Sequence, residues 1–371
     1  MYLHCENMNA PATDLRQAAI EHAVRLNRYD SFSAKWQSSS GLFFAGLTLP
    51  VPNTNTQLSA TDTANMLFEL GKHSLDSGFN FSLAAHLLAA VVPLGSYAKN
   101  TLHHDALHCV SNGAVCANAM TESSSGSDAF RMKTTAVRNG KQFIINGAKT
   151  FVTNGPVADY FVVYAMTDAA KGFFGGVSCF LVDKLKHTTK ISAPIEKVSL
   201  QSSPMCEVFF EDCAVDEEYL IGKEGGGAMI FLESMNWERA CIAAMHAGTI
   251  VRLCETAATY AKARLRDGKP LADFQAVQFK LADMAVLGET ARLMAERAAA
   301  DIDRRGGSVS AAQAKIVASE SLMQAATLAA TIMGGNGITN DGVANVLADA
   351  QAALIYSGPN DVLRELIAGS L

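Results

Sequence analysis

Apolar residues recur at helical spacing through roughly the first 115 positions, as in TANMLFELGKHSLDSGFNFSLAAHLLAAVV (63–92). A polar, proline-containing stretch, TLPVPNTNTQLSATDTA (48–64), interrupts that pattern and reads as a surface loop. From about 116 to 215 the pattern changes to short runs rich in Val, Ile, Phe and Tyr. KQFIINGAKTFVTNG (141–155), DYFVVYAMTD (159–168), VSCFLVD (177–183) and MCEVFFEDCAV (205–215) are the clearest. Asn-Gly at 146–147 and at 154–155 reads as turns between strands, which predicts an antiparallel sheet. Beyond LIGKEGGGAMIFL (220–232) helical spacing returns, and Met284, Leu287, Ala291, Met294 and Ala298 form one buried stripe. Gly306 and Gly307 stop that helix, and small-residue-rich faces beyond it fit closely packed antiparallel helices. The expectation is an α+β chain: a helical region over 1–115, a β region over 116–215 and a helical bundle over 216–371.

Composition narrows the function. Thirty Lys and Arg against 36 Asp and Glu give a net charge of −6, with no basic excess to neutralise nucleic-acid phosphates. Eight cysteines show no CxxC pair and no zinc spacing, so they read as reduced, mostly buried thiols of a cytoplasmic protein. The opening MYLHCENMNAPATDLRQ lacks the basic and apolar regions of a signal peptide. The apolar run FSLAAHLLAAVVPLG (81–95), broken by His86 and Pro93, is short for a bilayer and reads as a core helix.

Candidate chemistry is sparse. MTESSSGSD (120–128) offers many N–H and O–H donors in little space, suited to an anion or the polar edge of a planar cofactor, or to a solvated turn. Thr153 ends an apolar strand before a turn, where its hydroxyl is either held at a site or ordinary. No GxGxxG follows a strand, and GKEGGG (222–227) lacks the phosphate-loop spacing. His104 and His108 share a helical face but have no third ligand nearby, so no metal is expected. Glu238 carries the sharper signal: Phe231, Ser234, Met235, Cys241, Ile242 and Met245 surround it on its helical face, five of them apolar. A carboxylate there is a desolvated base with a raised pKa, or a buried charge neutralised by Arg239 or Arg252. Near the C-terminus LIYSGPNDVLRELI (354–367) brings a bare serine hydroxyl, Ser357, to a Gly-Pro turn.

Together these stretches resemble the acyl-CoA dehydrogenase superfamily from about residue 60 to the C-terminus. The specific pieces are MTESSSGSDAFRMKTTAVRNGKQFIINGAKTFVTNG, LIGKEGGG, YAKARLRDGKPLADFQAV, IMGGNGI and LIYSGPNDVLREL, in the family's order and at its separations. The resemblance implies an N-terminal helical domain, a central antiparallel β domain and a C-terminal four-helix bundle, assembled as a homo-oligomer (dimer or tetramer). It implies FAD bound between the β domain and the bundles. The chemistry implied is removal of the α-proton of an acyl thioester by a carboxylate while the β-hydrogen leaves as hydride to flavin N5.

By resemblance, Met120, Thr121, Gly126 and Ser127 line the flavin, and Phe151, Val152 and Thr153 flank its isoalloxazine. Arg264, Gln275, Gly334 and Gly335 match positions that hold the FAD pyrophosphate and adenosine of a neighbouring subunit. Ser127, Arg239, Ser357 and Gly358 match substrate-contacting positions. Most of the family carries its catalytic glutamate where this chain has Ser357; a minority places it in a Glu-Arg pair on the first long bundle helix, where this chain has Glu238. The Ser357 backbone N–H then polarises the thioester carbonyl. SMNWERACIAAMHAGTIVRLCE and IYSGPND look most like a biosynthetic branch acting in secondary metabolism on acyl or aminoacyl groups of acyl- or peptidyl-carrier proteins. Either electron-transferring flavoprotein or oxygen is the implied acceptor.

The chain departs from the family pattern at Ser123 (Pro), Asp267 (Phe), Ala348 (Arg) and Pro359-Asn360 (Thr-Ser). Two other readings share the fold. A flavin monooxygenase needs no carboxylate base and would form product from oxygen and reduced flavin without a thioester. A non-catalytic binding subunit would lack stoichiometric flavin.

Overall fold

Local sequence signals set the helix starts. The computed structural model describes residues 12–40, 58–126, 128, 131–339 and 343–371. The first region contains α1 (Ala12–Leu26), α2 (Phe32–Ser39), α3 (Ala60–His73), α4 (Ser77–Ala85), a π-helical turn at His86–Val91, α5 (Val92–Ser96) and α6 (Thr101–Ser111). The expected surface loop over 48–64 is corrected at its end; its residues 48–57 lie outside the described ones. Ser59 caps α3: its hydroxyl accepts from the Asp62 N–H at 3.0 Å while the Asp62 carboxylate accepts from the Ser59 N–H at 3.4 Å. A capping box is made of the same polar residues as a loop, so composition misplaces the boundary. The apolar run at 81–95 is interior, although Ser77–Ser96, like Ser308–Ile338, is long and apolar enough to cross a bilayer. His86 is buried there, its Nδ1 accepting from the Cys116 N–H at 2.9 Å.

The sheet comprises β1 (Cys116–Ala119), β2 (Thr135–Asn139), β3 (Gln142–Thr153), β4 (Tyr160–Met166), β5 (Val177–Asp183), β6 (Lys190–Ile191), β7 (Met205–Asp216) and β8 (Leu220–Ile221), with the short α7 (Phe173–Gly176) before β5. Its order is β6-β7-β3-β2-β4-β5-β8, with β1 beside β4. Most pairings are antiparallel as expected, but β1 and β2 each pair parallel to β4. In chain order β2 and β3 lie between β1 and β4, and β3 lies between β2 and β4, so each parallel pair is joined by a crossover and not by a hairpin.

Asn146-Gly147 is not a turn. It lies inside β3 as a bulge opposite β7, and Asn146 exchanges hydrogen bonds of 2.8 and 3.1 Å with Asp212. Gly147 has φ +149°, and an added Cβ would lie 2.5 Å from the Thr134 hydroxyl, so glycine is required by space. Asn154-Gly155 does turn the chain, with Asn154 left-handed at φ +65° and Gly155 opening a 3₁₀ turn.

The C-terminal region holds α8 (Gly227–Ala263), α9 (Gln275–Asp303), α10 (Ser308–Met333), α11 (Val343–Ala353) and α12 (Asn360–Ala368), with a two-strand hairpin β9 (Leu265–Arg266) and β10 (Lys269–Pro270) between α8 and α9. Of the stripe read on α9, Met284, Ala291 and Ala298 are buried and Leu287 and Met294 are half-buried. Helices α8, α9 and α10 pack on one another, α11 on α10, and α3 lies along α8. The α3–α8 contact is reciprocal and very close. A Cβ on Gly71 would sit 2.0 Å from the Met245 carbonyl oxygen, and one on Gly248 would sit 2.0 Å from that of Phe68.

Candidate active site

Helix α8 carries Glu238 into the interior on the apolar face read from the sequence. Met235, Cys241, Ile242 and Met245 around it are buried, and Glu238 itself is 5% exposed. The turn after α11 brings Ser357 to it: the Ser357 hydroxyl donates to Glu238 Oε1 at 2.5 Å, a charge-assisted bond across 119 residues. Burial pushes the Glu238 carboxyl above the ordinary carboxylate range, against the Ser357 bond and the positive charges of Arg239 and Lys315. The two features singled out at opposite ends of the bundle sequence therefore meet.

The turn is held from both sides. Ser357 and Gly358 have φ +57° and +94°, conformations that a non-glycine residue adopts under constraint. Arg239 Nε donates to the Ser357 carbonyl at 3.0 Å, so it grips the turn and not Glu238 by a direct bond. Its Nη1 is buried without a partner among the described residues. Lys315 of α10, fully buried, donates to the Gly358 carbonyl at 2.9 Å and to Asn360 Oδ1 at 2.8 Å. Sequence reading missed Lys315 and Asn360. Lys315 had the signal used for Glu238: its helical neighbours Ala311, Ala312, Ala318, Ser319 and Leu322 are small or apolar. Among the described residues no hydrogen bond reaches the Ser357 N–H.

Next to the turn, the buried Tyr356 hydroxyl lies 2.7 Å from His246 Nε2, and the Tyr356 ring leans on Phe81 with centroids 4.3 Å apart. Burial pulls His246 from the usual 6.5 to about 3, which keeps it neutral. Behind them a cavity of about 20 Å³, room for one water, touches Asn80, His246, Asp349 and Tyr356. A larger cavity of about 190 Å³ lies elsewhere, between α1, α3, α8 and α9, and no residue of the predicted site lines it.

The C-terminal ends of β1 and β3 carry the second group. Met120 and Val152 are buried, Thr121 and Thr153 half-buried, and Phe151 projects with 60% of its surface exposed and φ +54°. Gly126 has open space where a Cβ would be, and Ser127 lies outside the described residues. This loop is pinned by a pair the sequence did not reveal. Glu122 accepts from the Lys133 and Thr134 N–H groups at 2.7 and 2.9 Å and from Lys149 Nζ at 2.9 Å. Lys149, with no exposed surface, also donates to the Met120 carbonyl at 3.0 Å. The Lys149 charge and these three hydrogen bonds hold Glu122 below the ordinary carboxylate range despite burial.

Arg264, Gln275, Gly334 and Gly335 form a separate group. They are exposed at one end of the bundle, where Asn336 bonds the Tyr260 hydroxyl at 3.0 Å. Twenty-six residues of helix separate Arg264 from Glu238, about 39 Å along α8. One chain thus does not bring them to Glu238. Gly334 and Gly335 have open space at their Cβ positions, Gly334 with φ +59°. Open glycines, an exposed aromatic face and donor-rich loops suit an extended ligand with a planar ring at one end and phosphates at the other. Among the described residues no group of three His, Cys, Asp or Glu could hold a metal, and the seven described cysteines are free thiols.

Comparison with known proteins gives a consistent picture. The acyl-CoA dehydrogenase middle-domain model matches residues 117–213 and the C-terminal-domain model residues 225–371. A Serratia sp. (strain ATCC 39006) protein named L-prolyl-[peptidyl-carrier protein] dehydrogenase is 37% identical, the alignment covering 98% of this chain and 97% of the relative. A Pseudomonas fluorescens protein of the same name is 35% identical over 97% and 94%. Among solved structures, the prolyl acyl carrier protein oxidase AnaB superposes with a TM-score of 0.92 at 30% identity, over 98% of this chain and 99% of its own. The FAD complex of PigA gives 0.91 at 34%, over 100% and 99%. With its helix–sheet–helix architecture shared along the whole length of these relatives, the chain belongs to the acyl-CoA dehydrogenase family.

Proposed function

We propose that the protein is an FAD-dependent dehydrogenase that oxidises the Cα–Cβ bond of an acyl thioester, and that Glu238 is its base. The observation that carries this reading is the buried Glu238 carboxylate meeting Ser357, at the turn where most of the family keeps its glutamate. Burial raises its basicity, as proton abstraction near neutral pH requires. The α C–H proton passes to a Glu238 oxygen. FAD, when bound, would supply at N5 the acceptor for the β-hydride, and loss of both leaves the α,β-unsaturated thioester. Arg239 and Lys315 fix the turn, so that the Ser357 N–H is available to the thioester carbonyl oxygen as negative charge develops there.

Met120, Thr121, Gly126, Phe151, Val152 and Thr153 would hold the flavin ring, and Arg264, Gln275, Gly334 and Gly335 of a second copy would hold its phosphate end. The roughly 39 Å of α8 between Arg264 and Glu238 supports that division and a homo-oligomer. The thioester is an aminoacyl group on a carrier protein, a prolyl group in the first instance, by likeness to full-length relatives of that name. Electrons leave to electron-transferring flavoprotein or to oxygen.

Glu238→Gln keeps the shape and removes the base. The flavin-loaded variant is expected to retain FAD while its reduction by prolyl thioester on a carrier protein falls about a thousandfold or more. Reduction at the wild-type rate would remove Glu238 from the mechanism. Reduction by acyl-CoA but not by the carrier-bound thioester would correct the substrate alone.

A further inference from the structure

Two carbonyls of the Ser357–Gly358 turn face two buried cations from different helices: Arg239 of α8 on one and Lys315 of α10 on the other. Lys315 has no exposed surface, and leaving a lysine uncompensated there would be costly. Its partner Asn360 is itself anchored, donating to Ser319 Oγ at 3.1 Å and Glu320 Oε1 at 3.2 Å. A neutral donor would satisfy one carbonyl and one amide oxygen. What a neutral donor would not supply is charge, and the nearby buried group that needs it is Glu238.

We infer that Lys315 is a positioning residue for the reaction: through Gly358 and Asn360 it locks the turn that presents Ser357 to Glu238, and its charge offsets that of the Glu238 carboxylate. The inference rests on Glu238 being the base. The groups around Glu238 are Arg239 on its own helix, Lys315 from α10, and Tyr356 and Ser357 from the turn, with Glu320 acting on Lys315 and His246 beyond Tyr356. Glu320 is already paired with Arg364 of α12 at 2.5 Å, and His246 is neutral. Arg239 and Lys315 are therefore the cations that act on Glu238. Burial pulls Lys315 down to about 7, so it carries its proton, and its charge, at acid pH. Removing that charge leaves burial less opposed, and Glu238 holds its proton to higher pH.

The test reads Glu238 directly. In flavin-loaded protein, the carbonyl stretch of the protonated carboxyl is followed against pH by infrared difference spectroscopy and assigned by its loss in Glu238→Gln. Lys315→Met is expected to raise the midpoint by about one pH unit, a tenfold change in the ionisation constant, and Lys315→Arg to restore most of it. The acid limb of flavin reduction by prolyl thioester should move with it. If Lys315→Met does not accumulate as folded protein, Lys315→Gln, which keeps a donor for Gly358 without charge, is expected to show the same rise. A lower melting temperature with an unmoved midpoint would overturn the inference and leave Lys315 purely structural. Glu238→Gln reducing flavin normally would instead overturn the base assignment beneath it.

Discussion

Lowering the pH from 7 to 5 should weaken this fold sharply, and four buried histidines set the size of the effect. His22, His86, His103 and His246 are 1%, 0%, 0% and 3% exposed, and burial is the largest cause pulling them to about 3, 4, 4 and 3. In the unfolded chain each protonates near 6.5. As pH falls through that range the unfolded state binds protons that the folded state refuses, so stability falls with pH; about one unit or more above 6.5 these residues contribute almost nothing to the slope. At pH 5 the unfolded form is favoured by about 1.5 pH units per histidine, about 2 kcal/mol each and about 8 kcal/mol together. Glu238 and Asp349 act oppositely: burial raises both, so the folded state takes their protons first and gains stability in acid. Lys149 and Lys315, pulled to about 8 and 7, destabilise increasingly as pH falls from about 10.5 to those values and by a constant amount below them, so they add little to the slope in acid. The net loss is expected to lower the melting temperature by roughly 10 °C between pH 7 and pH 5. The assay is thermal unfolding of flavin-loaded protein at constant ionic strength, beside His246→Leu. That variant is less stable at every pH but should lose about one proton's worth of slope between pH 6 and 4.5. Parallel curves for the two proteins would refute the assignment of the acid loss to buried neutral histidine.

Two further outcomes follow from local geometry. Glu122→Ala strands the buried Thr134 N–H, the Lys133 N–H and the buried Lys149 ammonium, so a loss of about 3–5 kcal/mol is expected by denaturant unfolding. Flavin content should fall too, because the pair pins the loop that starts at Met120, and unchanged flavin content would separate the loop from the cofactor. Gly248→Ala should destabilise by about 2 kcal/mol or more despite alanine's helix preference of about 1 kcal/mol, because its Cβ would meet the Phe68 carbonyl oxygen at 2.0 Å. A melting temperature at or above wild type would show that α3 and α8 can separate at little cost.

Much of the site was legible because its signals are local. A carboxylate on an apolar helical face can be seen within fifteen residues, and Glu238 was found that way. The same test applied to α10 would have found Lys315, whose neighbours are even smaller. Pro359-Asn360 looked like a bare departure from a pattern. In the fold Asn360 is the buried acceptor of Lys315, and Pro359 sits at the N-terminus of α12. Asp267, another departure, has φ +51° beside Gly268 at +76°, the left-handed pair of a tight hairpin turn between β9 and β10. Asn146-Gly147 was misread for a physical reason: the same dipeptide makes a hairpin turn or a bulge, and the choice belongs to β7, some sixty residues later. Glu122 and Lys149 were invisible for a like reason, being 27 residues apart and joined only when the sheet forms.

The mutual glycine contact between α3 and α8 has a mechanical consequence. Two backbones touching through Gly71 and Gly248 leave no layer of side chains to slide or repack, so that seam cannot serve as a hinge. The helices before the sheet and those after it are thereby joined in one packed body, whatever the chain order suggests. Whatever movement the fold allows has to be sought elsewhere than between these two helices.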